Sequence, residues 1–140
     1  MREELSGSEK KKLESKIVDM LSEEDIVQFA YLYGSFLKGR FNDIDIGVYL
    51  KEGVSEKDII EFEISKEGEL SRKLGYKVDL RILNGRKIVF LHQVLKNGKL
   101  LMCRDEKIRV EFESKVYSEY LDIKYYLDQY NELRRKRILA

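Results

Sequence analysis

Periods of three to four residues alternate with periods of two along this chain, and the alternation sets its predicted elements. After a loose-looking segment 1–7, Leu13, Ile17, Met20 and Leu21 fall on one helical face. Ser8 is the expected N-cap, with Glu9 in the first turn, where the helix dipole favours an anion. Val27 to Tyr33 (VQFAYLY) is β-branched and aromatic, as a buried strand requires. From Asp43 to Leu50, Ile44, Ile46 and Val48 alternate with Asp43, Asp45 and Gly47, which predicts a strand with one apolar face. Ser55 can cap a helix over 56–73 carrying Ile59, Ile60, Phe62, Ile64 and Leu70, with Gly75 as its stop. A third strand, Tyr76 to Leu83, puts Tyr76, Val78, Leu80 and Ile82 on one face and Asp79 and Arg81 on the other. Lys87 to Lys96 reads as a helix ended by Asn97-Gly98, and Leu100 to Cys103 as a short edge strand. From Asp105 to about residue 138 a last helix carries an apolar stripe of Val110, Val116, Tyr120, Ile123, Leu127 and Tyr130. The expected class is α+β, a small sheet packed against helices, in a single domain over residues 1–140.

Composition narrows the function. With 43% hydrophobic residues in 140, the chain can close one core. Its 27 Lys and Arg nearly balance 26 Asp and Glu, leaving a net charge of +1. No global field therefore draws it to nucleic acid or to an anionic membrane, and direct nucleic-acid binding is not expected. The one basic cluster, Arg134-Arg135-Lys136-Arg137, reads as cations complementing the dipole at a helix C-terminus. A single cysteine, Cys103, and a single histidine, His92, exclude an internal disulfide and a structural zinc site. His92 reads as a packed or half-exposed side chain and Cys103 as a small core residue. Without a leader-like apolar segment or a membrane-length run, the chain is expected to be soluble and cytoplasmic.

The chemistry rests on three carboxylates that sit among apolar strand residues. Asp43 and Asp45, one residue apart on a strand, project from the same face, and Asp79 occupies the polar face of another. If the two strands are neighbours, the three converge. An unpaired cluster of this kind repels itself, so it shifts its pKa values or binds cations. Hard oxygen ligands with open positions suit Mg²⁺, which takes its remaining ligands from water and substrate phosphates. Gly34-Ser35, directly after the first strand, lets a triphosphate approach the backbone and offers a hydroxyl and amides to its oxygens. Lys38 adds a cation. Two metals about 3.5–4 Å apart would serve an in-line displacement at such a site.

The run Tyr33-Gly34-Ser35-Phe36-Leu37-Lys38-Gly39, followed by Asn42-Asp43-Ile44-Asp45-Ile46, resembles the signature of the DNA polymerase β-like nucleotidyltransferase superfamily. Asp79 in Val78-Asp79-Leu80 matches the third carboxylate of that pattern. Asn97-Gly98-Lys99-Leu100-Leu101, the turn Arg104-Asp105-Glu106, Phe112-Glu113 and Glu119-Tyr120-Leu121-Asp122 are similar to one branch, the minimal nucleotidyltransferase (MNT) antitoxins. The chain departs from the pattern in the short Arg40-Phe41-Asn42 link and in Asn42, which replaces a common serine. Neither departure removes a metal ligand.

The resemblance implies a small mixed sheet with a long C-terminal helix, and a Mg²⁺-dependent protein adenylyltransferase with ATP as co-substrate and two metal ions. It implies that Asp43, Asp45 and Asp79 hold the metals and carry the catalysis. Gly34, Ser35 and Lys38 would hold the nucleotide. The implied partner is a HEPN-domain ribonuclease toxin, neutralised by AMP on a hydroxyl, in members of that family a tyrosine. Two other readings compete: a non-catalytic antitoxin that occludes the toxin, and a nucleotidyltransferase acting on a small molecule or an RNA end. The tyrosines of the last helix, Tyr117, Tyr120, Tyr125, Tyr126 and Tyr130, read as core, oligomer seam or docking surface.

Overall fold

In the computed structural model, which describes residues 4–139, the first helix starts earlier than the pattern suggests. Helix α1 (Gly7–Ser22) is capped by Ser6, not by Ser8. The Ser6 hydroxyl accepts from the Glu9 amide at 3.2 Å, and the Glu9 carboxylate accepts from the Ser6 amide at 3.2 Å. This reciprocal box satisfies both amides; Ser8 could not build one, because Lys11 stands where the acid would be needed. Glu4 pairs with Arg40 at 3.2 Å and Leu5 packs against the core, so the expected loose segment is anchored from residue 4 onward. Residues 1–3, with which that expectation began, and residue 140 lie outside the described residues. Ser6→Ala is expected to lower stability by about 1 kcal/mol in chemical denaturation, with Ser8→Ala nearly silent. Equal effects at the two positions would contradict the box.

Strands β1 (Val27–Tyr33), β2 (Ile44–Leu50), β3 (Val78–Ile82) and β4 (Lys99–Cys103) form one mixed sheet in the order β3-β2-β1-β4. β1 is antiparallel to β2 and β4, whereas β2 and β3 are parallel, joined through helix α2 (Glu56–Leu74). A parallel pair needs such a crossover, and α2 has clear ends. The Ser55 hydroxyl accepts from the Asp58 amide at 3.2 Å, and Gly75 ends the helix at φ +77°. The alternating apolar residues Ala30, Leu32, Ile44, Ile46, Val48, Val78, Leu80 and Ile82 face the side covered by α1 and α2.

The other face carries Phe29, Tyr31 and Tyr49 beneath α3 (Ile88–Asn97) and α4 (Glu106–Leu139), where Phe112 and Val116 close a second, more aromatic cluster. Phe29 stacks on Tyr49 at 4.7 Å, and Phe112 tilts against both. Arg104, after β4, donates to the carbonyls of Val27 and Ser22, both at 3.0 Å, tying the end of the edge strand to the α1–β1 connection.

α4 is covered over its first part only. Its 34 residues extend about 50 Å, against about 15 Å for the ten of α3. His92 of α3 stacks on Tyr120 at 3.5 Å, and Val116 is buried. Beyond that point Leu127 is 53% exposed and Tyr130 61%, and Val110 also faces solvent. The predicted stripe therefore outruns the body it was expected to pack against. Among the described residues no helix is long and apolar enough to cross a membrane.

Candidate active site

Strand register brings the predicted residues together. Tyr33 pairs with Asp45 across β1 and β2, and Asp45 with Asp79 across β2 and β3. In-register neighbours share a face, so these three form one row on the α3 side of the sheet. Asp43, two residues before Asp45, belongs to the same side. It lies just ahead of β2 rather than inside it, because regular pairing starts with the Ile44 amide donating to the Lys77 carbonyl at 2.9 Å.

The carboxylates are neighbours without being closed on one another. Lys77 Nζ lies 4.0 Å from Asp43, and Arg81 Nη2 lies 3.4 Å from Asp79. Among the described residues no three acidic, His or Cys side chains are gathered as a ready metal cage. Their charges interact nonetheless. Burial, and after it the Asp79 and Asp43 carboxylates, push Asp45 up to about 6, with Arg81 pulling the other way. Burial and then Asp45 push the Tyr33 hydroxyl up to about 12. That hydroxyl is buried without a hydrogen-bond partner. Oxygen donors that repel one another in this way fit a hard divalent cation, whose charge would relieve the repulsion.

The turn after β1 completes the site. Gly34 has φ +82°, and a Cβ there would stand 2.2 Å from Asp45 Oδ2, so the backbone lies directly against the carboxylate. Ser35 opens a short 3-10 turn, Ser35–Lys38, and is half-buried at its start; Lys38 is exposed at its end. Phe36 and Phe41, both buried and edge-on at 4.8 Å, anchor the segment from either side. From α1, Lys10 donates to the Gly39 carbonyl at 2.9 Å and to the Phe36 carbonyl, with its ammonium over both rings. Gly34, Ser35, Asp43, Asp45 and Asp79 thus border one surface, and Lys38 stands exposed at the far end of the turn.

Two residues of this site escape a reading by pattern. Lys10 acts from a helix far back in the chain, and nothing local marks it. Alternation does put Arg81 on the face of Asp79. Its reach to the carboxylate, and its position 5.5 Å above the Phe90 ring, follow from the side-chain conformation. A cavity of about 880 Å³ lies elsewhere, between the β3–α3 turn and α4, lined by Asn84, Arg86, Ile88, Phe112 and Lys115 among others.

A Gly-Ser turn set against paired aspartates on a mixed sheet, with a third aspartate in register, defines a nucleotidyl-transfer frame. Residues 15–107 match the family described as Polymerase beta, Nucleotidyltransferase. That span is more than half of the chain and includes Gly34, Ser35, Lys38, Asp43, Asp45, Asp79 and Arg81, with Lys10 ahead of it, and the protein belongs to this family. Its fold is also similar to solved antitoxin structures. One is the complex of a tri-AMPylated Shewanella oneidensis HEPN toxin with MNT antitoxin: TM-score 0.66, 26% identity, 81% of this chain and 88% of that one covered. Another is a toxin–antitoxin with AMP-PNP: TM-score 0.65, 27% identity, 79% of this chain and 88% of that one covered. No curated protein matches the chain at comparable significance.

Proposed function

We propose that the protein is an antitoxin adenylyltransferase of the cytoplasm, which transfers AMP from ATP to a hydroxyl of a HEPN ribonuclease toxin and thereby neutralises it. A tyrosine hydroxyl is the proposed acceptor. The observation that carries the reading is the row Tyr33–Asp45–Asp79, with the Gly34 backbone packed against Asp45. Likeness to antitoxins solved with a tri-AMPylated toxin and with AMP-PNP supports the acceptor class and the nucleotide.

In this reading Asp43, Asp45 and Asp79 would hold Mg²⁺, which when bound supplies positive charge to the phosphates and to the attacking oxygen. The Gly34 turn brings the triphosphate close to the backbone, and Ser35 and Lys38 contribute a hydroxyl and a cation to its oxygens. The acceptor oxygen bonds to the α-phosphorus, the bond from that phosphorus to the bridging oxygen breaks, and pyrophosphate leaves. The acceptor proton passes to the Asp79 carboxylate, which sits at the open edge of the row. The uncovered length of α4, with Tyr125, Tyr126, Leu127 and Tyr130 all exposed, offers the partner a docking surface.

Intact mass of a HEPN partner, after incubation with the protein, Mg²⁺ and ATP, tests the proposal. One or more added AMP units are expected, absent with the Asp43→Asn, Asp45→Asn double variant. Neutralisation with no mass gain, and none lost in the double variant, would leave an occluding antitoxin instead.

A further inference from the structure

The carboxylates of this site already have protein cations beside them. Arg81 Nη2 stands 3.4 Å from Asp79 Oδ2, and Lys77 Nζ 4.0 Å from Asp43 Oδ2. The Arg81 guanidinium is steadied from its other side, 5.5 Å above the Phe90 ring, and Phe90 meets Tyr33 edge-on at 6.0 Å. It therefore sits between an aromatic shelf and the acidic row, close enough for its charge to act on Asp45 as well as on Asp79.

We infer that Arg81, aided by Lys77, is an internal counter-ion standing in the electrostatic place of a divalent cation, so that the site takes up metal weakly alone and strongly together with nucleotide. This rests on the reading of the site as a nucleotidyl-transfer centre and adds to it how the site is loaded.

The charge count gives the reason. Three carboxylates facing two cations leave about one net negative charge on the metal-free site. Divalent ions entering alone meet positive groups already beside two of the three carboxylates, Arg81 at Asp79 and, farther off, Lys77 at Asp43. A triphosphate entering with them restores the negative charge and gives a released guanidinium a second acceptor, since arginine pairs with phosphate as readily as with carboxylate. The Arg81 side chain is 45% exposed, so it can swing away without leaving a cavity. Metal and nucleotide then favour each other by one coupling factor, the same whichever binds first.

Mn²⁺ binding followed by electron paramagnetic resonance, with and without a non-hydrolysable ATP analogue, reads this coupling directly. In the unaltered protein the analogue is expected to tighten Mn²⁺ binding by at least about tenfold. Arg81→Gln should tighten nucleotide-free Mn²⁺ binding by about three- to tenfold and shrink the coupling in proportion. Arg81→Lys, which keeps the charge, should stay near the unaltered protein. An unchanged or weaker nucleotide-free affinity in Arg81→Gln would overturn the inference and make Arg81 a support for Asp79 as a ligand. Asp45→Asn separates the two levels, because it should lose Mn²⁺ with or without the analogue. If it binds as before, the metal-site reading falls, and the counter-ion inference with it; if it loses Mn²⁺ while Arg81→Gln does not move, the inference alone falls.

Discussion

Asp45→Asn is expected to abolish nucleotidyl transfer and yet, at neutral pH, to make the metal-free protein more stable. Loss of activity follows from place: Asp45 is the middle of the row, paired in register with Tyr33 on one side and Asp79 on the other. An amide there removes the negative charge at the middle of the row on which the proposed Mg²⁺ site rests, and a fall of about a thousandfold or more is expected. The gain in stability follows from repulsion. In the folded protein the carboxylate is pushed from 3.8 up to about 6, by burial first and then by Asp79 and Asp43. A folded-state value above the unfolded one means that the native protein holds this proton more tightly. The contribution is complete below about pH 4 and is lost as pH rises through about 6, where the ionised carboxylate stands beside Asp79. Asparagine has no proton to lose. Because the group is partly open to solvent, the difference should be a few degrees of melting temperature, larger at low salt than at high salt. Melting curves in a chelator from pH 4 to 8 check it: the unaltered protein should lose ground to the variant between pH 4 and 6 and run parallel above. A variant less stable at pH 7 would show that the carboxylate is held by attraction instead.

The opposite pulls on activity and stability at Asp45 bear on how far the site is readable in the chain. Ile44, Ile46 and Val48 alternate so cleanly that the burial of one face, and hence the placement of Asp43 and Asp45 on the other, is settled by period alone. The α+β class, the edge strand β4 and the long α4 are legible in the same way. Which strand lies beside β2, and in which register, is not a local property. Asp79 reaches Asp45 only because α2, defined by Ser55 and Gly75, carries the chain back to pair in parallel. The resemblance supplies that adjacency, whereas the pattern offers it only as a condition. Periodicity also marks the apolar side of α4 without saying where its cover ends: α3 covers Tyr120, whereas Leu127 and Tyr130 farther along are exposed. Ser6 and Ser8 look alike as caps until the residue three positions on is considered, a glutamate for one and a lysine for the other. Lys10 and Arg81 act through side-chain reach across tertiary contacts, for which the chain holds no period at all.

Gly34→Ala is the second substitution expected to act strongly, and it does so through two effects that separate cleanly. The first is backbone: at φ +82° and ψ −157° an L side chain is strained, at a cost of about 1–3 kcal/mol. The second is contact, because the added Cβ would stand 2.2 Å from Asp45 Oδ2 and 3.1 Å from its Cγ. The carboxylate must then turn away or the loop must lift, and Phe36, Phe41 and Lys10 hold the loop down. Either movement displaces the Asp45 carboxylate or the Gly34 backbone from its place in the row, and a misplacement of about 1 Å at a reacting centre can lower the rate by about a hundredfold. Gly39→Ala is the comparison for strain alone, since Gly39 has φ +118° with nothing within 4 Å of the added Cβ. Gly34→Ala should therefore cost more stability than Gly39→Ala in chemical denaturation. In an Asp45→Ala background the excess should vanish, because the oxygen that the methyl meets is gone. Equal costs for the two glycines, or an excess that survives Asp45→Ala, would show that the turn and the carboxylate do not touch as the close approach of Gly34 to Asp45 requires.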